Sequence, residues 1–189
     1  MARPRSAEAR RKMLTAATEL ALEVGVRSFT IDEVARRSGV AKTTIYRHFT
    51  NKNELLVQAL DGVTPVPKIP DTGSLRDDLT AFLHEVRPIF ADHQLRALYF
   101  DIFAASHHDP ELARLQASMM AGRSQALGTI IKRARTRGEL DPSIDIHTAF
   151  EIVEGPFIVR SFSDPTRLEQ VDIDLLVSRM LRVLAPDSP

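Results

Sequence analysis

The 189-residue chain has no cysteine, which excludes a disulfide framework and a thiolate zinc site. It has no run of eighteen apolar residues, and its first stretch, MARPRSAEARRK, lacks the apolar centre of a secretory signal. Neither a membrane span nor export is therefore expected, and the chain reads as cytoplasmic. No nucleophile-base-acid pattern, phosphate-cradling glycine loop or HExxH stands out, so neither catalysis nor a cofactor is expected. Net charge is also missing, with 25 Lys and Arg against 25 Asp and Glu. The balance conceals an asymmetry: residues 1–52 hold eleven basic against five acidic side chains, and the remainder hold 14 against 20. A hydrophobic fraction of 43% is ordinary for a chain that buries a real core.

What is present is concentrated in Ile31 to Phe49, IDEVARRSGVAKTTIYRHF, inside the basic portion. Thr30 and Glu33 have the T-x-x-E spacing of a reciprocal capping box, and Val34 and Ala35 give the short helix that follows an apolar face. Ser38-Gly39-Val40 supplies a tight turn, because glycine adopts positive φ at low cost. In the second helix Ile45 and Phe49, four apart, face inward, while Lys42, Thr43, Thr44, Tyr46, Arg47 and His48 face outward. Thr43 and Thr44 stand at the helix start, where a reading helix meets base edges, and each offers a hydroxyl and a methyl group. Tyr46, Arg47, His48 and Lys52 can donate to phosphate oxygens. With Thr30 and Lys42 they complete the candidate DNA-contacting set, and electrostatic attraction to phosphate suits the local excess of positive charge.

Residues 14–56 carry L-x-A-A-x-x-L, T-I-x-x-V-A, S-G-V and I-Y-x-H-F-x-N-K-x-x-L in register, and so resemble the DNA-binding domain of TetR-family transcriptional regulators. The resemblance implies an all-α fold, a helix-turn-helix domain followed by a helical ligand-binding and dimerisation domain, about nine helices in all. It also implies backbone contacts from Tyr46, His48 and Lys52. Ala41 is a departure, standing where many members have serine. The reading helix then lacks a side-chain cap, at a cost of about 1 kcal/mol.

Around this motif, Ser6 to Val24 reads as a bracing helix closed by Gly25, preceded by an arm whose Arg3 and Arg5 could enter a minor groove. Asn51 to Leu60 restarts a helix with an N-x-x-E box. Residues 62–73, GVTPVPKIPDTG, hold three prolines and two glycines and mark a boundary between domains at 1–61 and 74–189. No strand alternation follows. Helices are expected over Ser74 to Phe90, Leu95 to Ala105, Pro110 to about Arg137, Ile144 to Phe162 and Val171 to Leu184, the last two joined by a Ser-Asp-Pro-Thr loop. Gly155-Pro156 should kink its helix, or else permit a close helix approach.

The apolar stripes of the last two helices, about 144–162 and 171–184, are expected to form a homodimer through a four-helix interface, as the resemblance also implies; the alternative is that both stripes are core of one protomer. A dimer would meet a palindromic operator on double-stranded DNA if its reading helices were held roughly 34 to 36 Å apart. Phe82, Tyr99, Phe103, Met119, Met120, Phe150 and Phe157 are the candidate lining of a pocket for an unknown, largely apolar effector that releases DNA by favouring another spacing. His107, His108 and Asp109 invite a metal reading, but Asp109 is needed as a helix cap and no other ligand is evident, so no metal is expected. The competing reading is a DNA-binding architectural or interaction protein whose helical body docks a protein partner and binds no small molecule.

Overall fold

The computed structural model describes residues 3–164 and 166–186, and among these it contains ten helices and no strand. They are α1 (Arg3–Val24), α2 (Ile31–Ser38), α3 (Lys42–His48), α4 (Lys52–Leu60), α5 (Leu75–Ala91), α6 (His93–Ser106), α7 (Pro110–Thr136), α8 (Ile146–Ser163), α9 (Thr166–Glu169) and α10 (Ile173–Leu184). The helix beyond the nine expected is α9, which lies where a plain loop is expected. Asp164 Oδ1 accepts from the Thr166 amide at 3.2 Å, and Leu168 inserts into the core. One turn is too short to show as a period in the sequence. The helix α1 also begins before Ser6, so the backbone of residues 3–5 is helical and forms no separate arm; the side chains of Arg3 and Arg5 lie outside the described residues.

The chain packs as two compact units, of which the first contains residues up to Thr64 together with Gln94–Met119. Its core joins Ala17, Leu20 and Ala21 of α1 to Val34, Ile45, Phe49, Leu55 and Leu56, and adds Leu98, Ile102, Leu112, Leu115 and Met119. Packing thus places residues 94–119 with the N-terminal helices, across the proline-rich stretch. Tyr99 contributes a directional contact, its hydroxyl donating to the Met119 carbonyl at 3.1 Å.

The second unit contains Pro65–His93 and the chain from Met120 onward. Here α5 packs against α8, α9 and α10 around Leu79, Phe82, Leu83, Val86, Val153, Phe157 and Val177. The stripe residues expected to face a second protomer, including Val153, Phe157, Ile173, Leu176, Val177, Met180 and Leu184, are buried in this core instead. Of that expected stripe Ile146 stays exposed, and the other apolar side chains left exposed on α8 and α10 are Val159, Phe162, Leu175 and Val183. The helix α8 runs through Pro156, and a Cβ on Gly155 would meet nothing within 4 Å, so Gly155 serves no close approach. That role falls to Gly128, where a Cβ would come within 2.9 Å of Ile146 Cδ1.

Among the described residues, one ion pair of this unit has both side chains buried. Arg123 Nε lies 3.2 Å from both carboxylate oxygens of Glu154, and the two side chains are 2% and 0% exposed. The guanidinium sits 5.2 Å from the centre of the Phe90 ring, which in turn packs on Phe157. Burial pushes the Glu154 carboxyl above its ordinary value, and Arg123 opposes that shift without cancelling it.

Candidate nucleic-acid interface

The first half of the motif is held by its ends. Thr30 Oγ1 accepts from the Glu33 amide at 3.3 Å, and Gly39, with φ 68°, closes the helix by donating to Ala35 O at 3.0 Å. The reciprocal half of the expected capping box does not form. Glu33 spends its carboxylate on Arg36 at 2.6 and 2.8 Å and on Arg37 at 2.8 Å, and these guanidinium hydrogen bonds hold its pKa at about 2. Arg37 also reaches Glu23 of α1 at 2.6 Å, tying the motif to its brace. The turn is completed by Ser38 Oγ, which accepts from the Val40 amide at 3.2 Å.

The second half is held by packing. No side chain caps α3, since its N-cap is Ala41, whose carbonyl accepts from the amides of Thr44 and Ile45. Ile45 and Phe49 are buried beneath it, while Lys42, Thr43, Tyr46 and Arg47 are exposed and Thr44 and His48 are partly exposed. Tyr46 in particular keeps 55% of its surface free. The result is a short helix with a buried apolar edge and a face of hydroxyl, phenol and guanidinium donors.

Individual candidates differ in how available they are. Lys42 is paired with the Asp32 carboxylate, which raises its pKa; both side chains are more than half exposed, so the pair can open toward a phosphate. Thr30 is committed to its cap. His48 is partly exposed, with its Nε2 enclosed and without a hydrogen-bond partner. Lys52 is exposed in the first turn of α4, behind Asn51, which caps that helix through the Glu54 amide at 2.8 Å. It borders a cleft of about 370 Å³ that also includes Arg27, Asn53, His108 and Asp109.

The seven candidate effector contacts fall in different places. Tyr99, Phe103 and Met119 belong to the first unit, and Phe82, Met120, Phe150 and Phe157 to the second. Phe82 and Phe157 are fully buried, whereas Phe103 is 48% exposed and stacks edge-on with His107 at 5.1 Å. A second cleft, of about 250 Å³, is lined by Arg160, Arg167 and Arg179 with Leu175 and Leu176; neither cleft includes any of the seven. Asp109, considered above as a metal ligand, caps α7 by accepting from the Glu111 and Leu112 amides at 2.8 and 3.3 Å.

Two short helices joined by a glycine turn, braced by a third and bearing a basic, hydroxyl-rich outer face, define a helix-turn-helix DNA-binding regulator. Residues 13–59 match the family model described as bacterial regulatory proteins, tetR family, and residues 69–180 match the tetracyclin repressor-like C-terminal domain. The chain is 31% identical over 176 residues to the DNA-binding transcriptional repressor TetR of Mycobacteroides abscessus, covering 91% of both chains. It is 34% identical over 146 residues to the regulator AqdR of Rhodococcus erythropolis, covering 76% of this chain and 70% of that one. Its fold matches the crystal structure of the TetR family transcription regulator SCO0332 with a TM-score of 0.63 and 26% identity, over 95% of this chain and all of that one. The protein belongs to the TetR family of transcriptional regulators, whose members regulate transcription by binding DNA and are not enzymes. Among the described residues no helix is long and apolar enough to cross a membrane.

Proposed function

We propose that the protein is a dimeric cytoplasmic repressor that reads a palindromic operator through α3 and is released by a small molecule bound in its helical body. In this reading residues 1–61 act as the DNA-binding domain and 74–189 as the effector and dimerisation domain. Thr43 and Thr44 meet bases, and Lys42, Tyr46, Arg47, His48 and Lys52 meet phosphates. The carrying observation is the division of α3, with Ile45 and Phe49 buried and its polar side chains outward. The relative from Mycobacteroides abscessus, named a repressor, supports the direction of control.

The face for a second protomer is better drawn from the exposed apolar residues than from the buried stripes. Val159 and Phe162 are 63% and 64% exposed, with Leu175 and Val183 exposed on α10. Covering them with a copy of the same face follows the symmetry rule for a two-fold interface. The same exposed residues would serve the competing reading, in which a different protein docks there. The test is to select genomic fragments bound by the full chain and to weigh the chain in solution by light scattering, alone and with a bound fragment. A dimer on sequences with two-fold symmetry is the expected result; a monomer that selects no fragment would overturn the proposal.

A further inference from the structure

Two carboxylates of residues 94–119 grip the reading head at separate points. Asp101 of α6 places Oδ2 where it accepts from the backbone amides of Val26 at 2.5 Å and Arg27 at 3.2 Å, while Oδ1 pairs with Arg27 Nε at 3.3 Å. The preceding residue is shaped to this contact: Gly25 has φ 74°, and a Cβ on it would collide with the same carboxylate. Glycine is thus required there twice, by its backbone conformation and by the neighbour it admits. The second grip is Asp109, whose Oδ1 caps α7 and whose Oδ2 accepts from Asn53 Nδ2 at 2.5 Å. Asn53 lies in the first turn of α4, beside Lys52.

Both grips supply what the apolar core of this unit does not. Leu98, Ile102, Leu112 and Leu115 bury surface against the head, but hydrophobic burial is non-directional and tolerates sliding. A carboxylate seated on two successive amides is directional and strengthened by its charge. It fixes the turn after α1, and that turn leads through Phe29, buried in the same core, to Thr30, the cap of α2. The pose of α2 then fixes the pose of α3 through the three-residue connection 39–41.

We propose that Asp101 is a positioning residue for operator reading: seated in the Gly25-Val26-Arg27 turn, it sets the pose of the helix-turn-helix, with the Asp109–Asn53 contact as a second tie. In this role Asp101 acts through the turn that it holds. The inference rests on the DNA-binding role, so a wild-type chain that selected no genomic fragment would sink that role first, separately from this one.

The test compares full-length D101A and D101N with wild type, by anisotropy titration of a selected fragment over a range of salt and by circular dichroism at the same temperature. Asp101→Ala is expected to weaken binding tenfold or more, as fits loss of charge-assisted hydrogen bonds worth roughly that factor. The slope of affinity against salt should stay the same, because no phosphate contact is lost. Asp101→Asn should recover most of the affinity, since one amide oxygen can still accept from both backbone amides. A loss of binding that tracked the unfolded fraction, a flattened salt slope, or a folded D101A with wild-type affinity would each overturn the proposal. Should D101A not fold, Asn53→Ala removes only the second tie and leaves the cap of α7 intact. It is expected to reduce affinity by about threefold, a factor within the range of one ordinary hydrogen bond, with the slope unchanged; wild-type binding by that variant would equally overturn the proposal.

Discussion

Both units carry surface ion pairs, Arg137 with Glu139 being one in the second, but among the described residues only the second also encloses one. In the first, Glu23, Glu33, Arg36 and Arg37 form a network at the surface, and Asp101 and Asp109 hold backbone amides or an amide side chain near water. In the second, Arg123 and Glu154 are fully enclosed among Phe90, Phe157 and their neighbours. Surface pairs are screened and individually weak, so a head built on them can trade partners, as Lys42 must if it leaves Asp32 for a phosphate. An enclosed pair cannot trade. Its desolvation is offset only while both partners remain, so it makes one arrangement of the body far better than its neighbours.

The units should differ most in their response to ionic strength. With about 6 to 10 phosphate contacts per dimer, operator affinity should fall around 10³ to 10⁵-fold between 50 and 200 mM salt. The unfolding midpoint of the body should move far less over the same range, because its enclosed ion pair is shielded from counterions and its surface pairs are individually weak. Anisotropy titrations and denaturant melts at matched salt read both quantities, and a flat binding response would remove the proposed groove-facing surface.

The next effect belongs to the body. Arg123→Met leaves a buried carboxylate without its partner and should cost about 3 to 5 kcal/mol of stability, while adding Glu154→Met should restore most of it. The sign with pH follows from the direction of the Glu154 shift. Burial raises its folded pKa above the ordinary 4.5, and losing Arg123 removes the opposing influence. Between 4.5 and the raised value the folded state holds a proton that the unfolded state releases, so stability declines as pH rises through that window. Urea melts of R123M should therefore show a greater loss at pH 8 than at pH 5. Equal losses at the two values would mean that Glu154 finds another partner or water.

How much of this was visible in the linear chain depends on the range of the interaction. Thr30, Asn51 and Ser74 cap their helices from three residues away or less, and the inward pair Ile45 and Phe49 follows from local period, so the ends and faces of α2 to α5 were legible. Glu33 was misread because Arg36 and Arg37, at three and four residues along the same face, compete for its carboxylate. The faces of α8 were illegible for a different reason. Apolar side chains surround that helix, with Val153 and Phe157 inward and Val159 and Phe162 outward, and no single stripe distinguishes core from surface. Contacts across long separations left no local trace at all. Asp101 meets a turn about 75 residues earlier, and Arg123 and Glu154 look in isolation like solvated helix charges.

Inside the head, single substitutions should separate reading from holding. Replacing Thr44 by Ala is expected to relax base preference at one position of the operator, while replacing Lys52 by Ala should weaken every sequence alike and lower the salt slope by about one. Competition binding against a mutated operator series distinguishes the two patterns. If Lys52 altered preference and Thr44 altered only the slope, the assigned roles would be exchanged.

A subtler change is available at the N-terminal end of the reading helix itself. Asn51, Ser74, Asp145 and Asp172 cap α4, α5, α8 and α10 with side-chain oxygens, whereas Ala41 gives α3 none. An uncapped seven-residue helix cannot persist through its own hydrogen bonds, so its order depends on Ile45 and Phe49 being held in the core. Ala41→Ser supplies the missing acceptor to an amide of the first turn, and should stabilise α3 by about 1 kcal/mol. Hydrogen exchange at the α3 amides reads that gain locally. If packing already sets the helix, operator affinity should change less than this stability does. If instead both rise together, α3 is partly unfolded in the free protein and part of the binding energy goes to ordering it, and the head would then be the more adaptable of the two units because its reading element is incomplete.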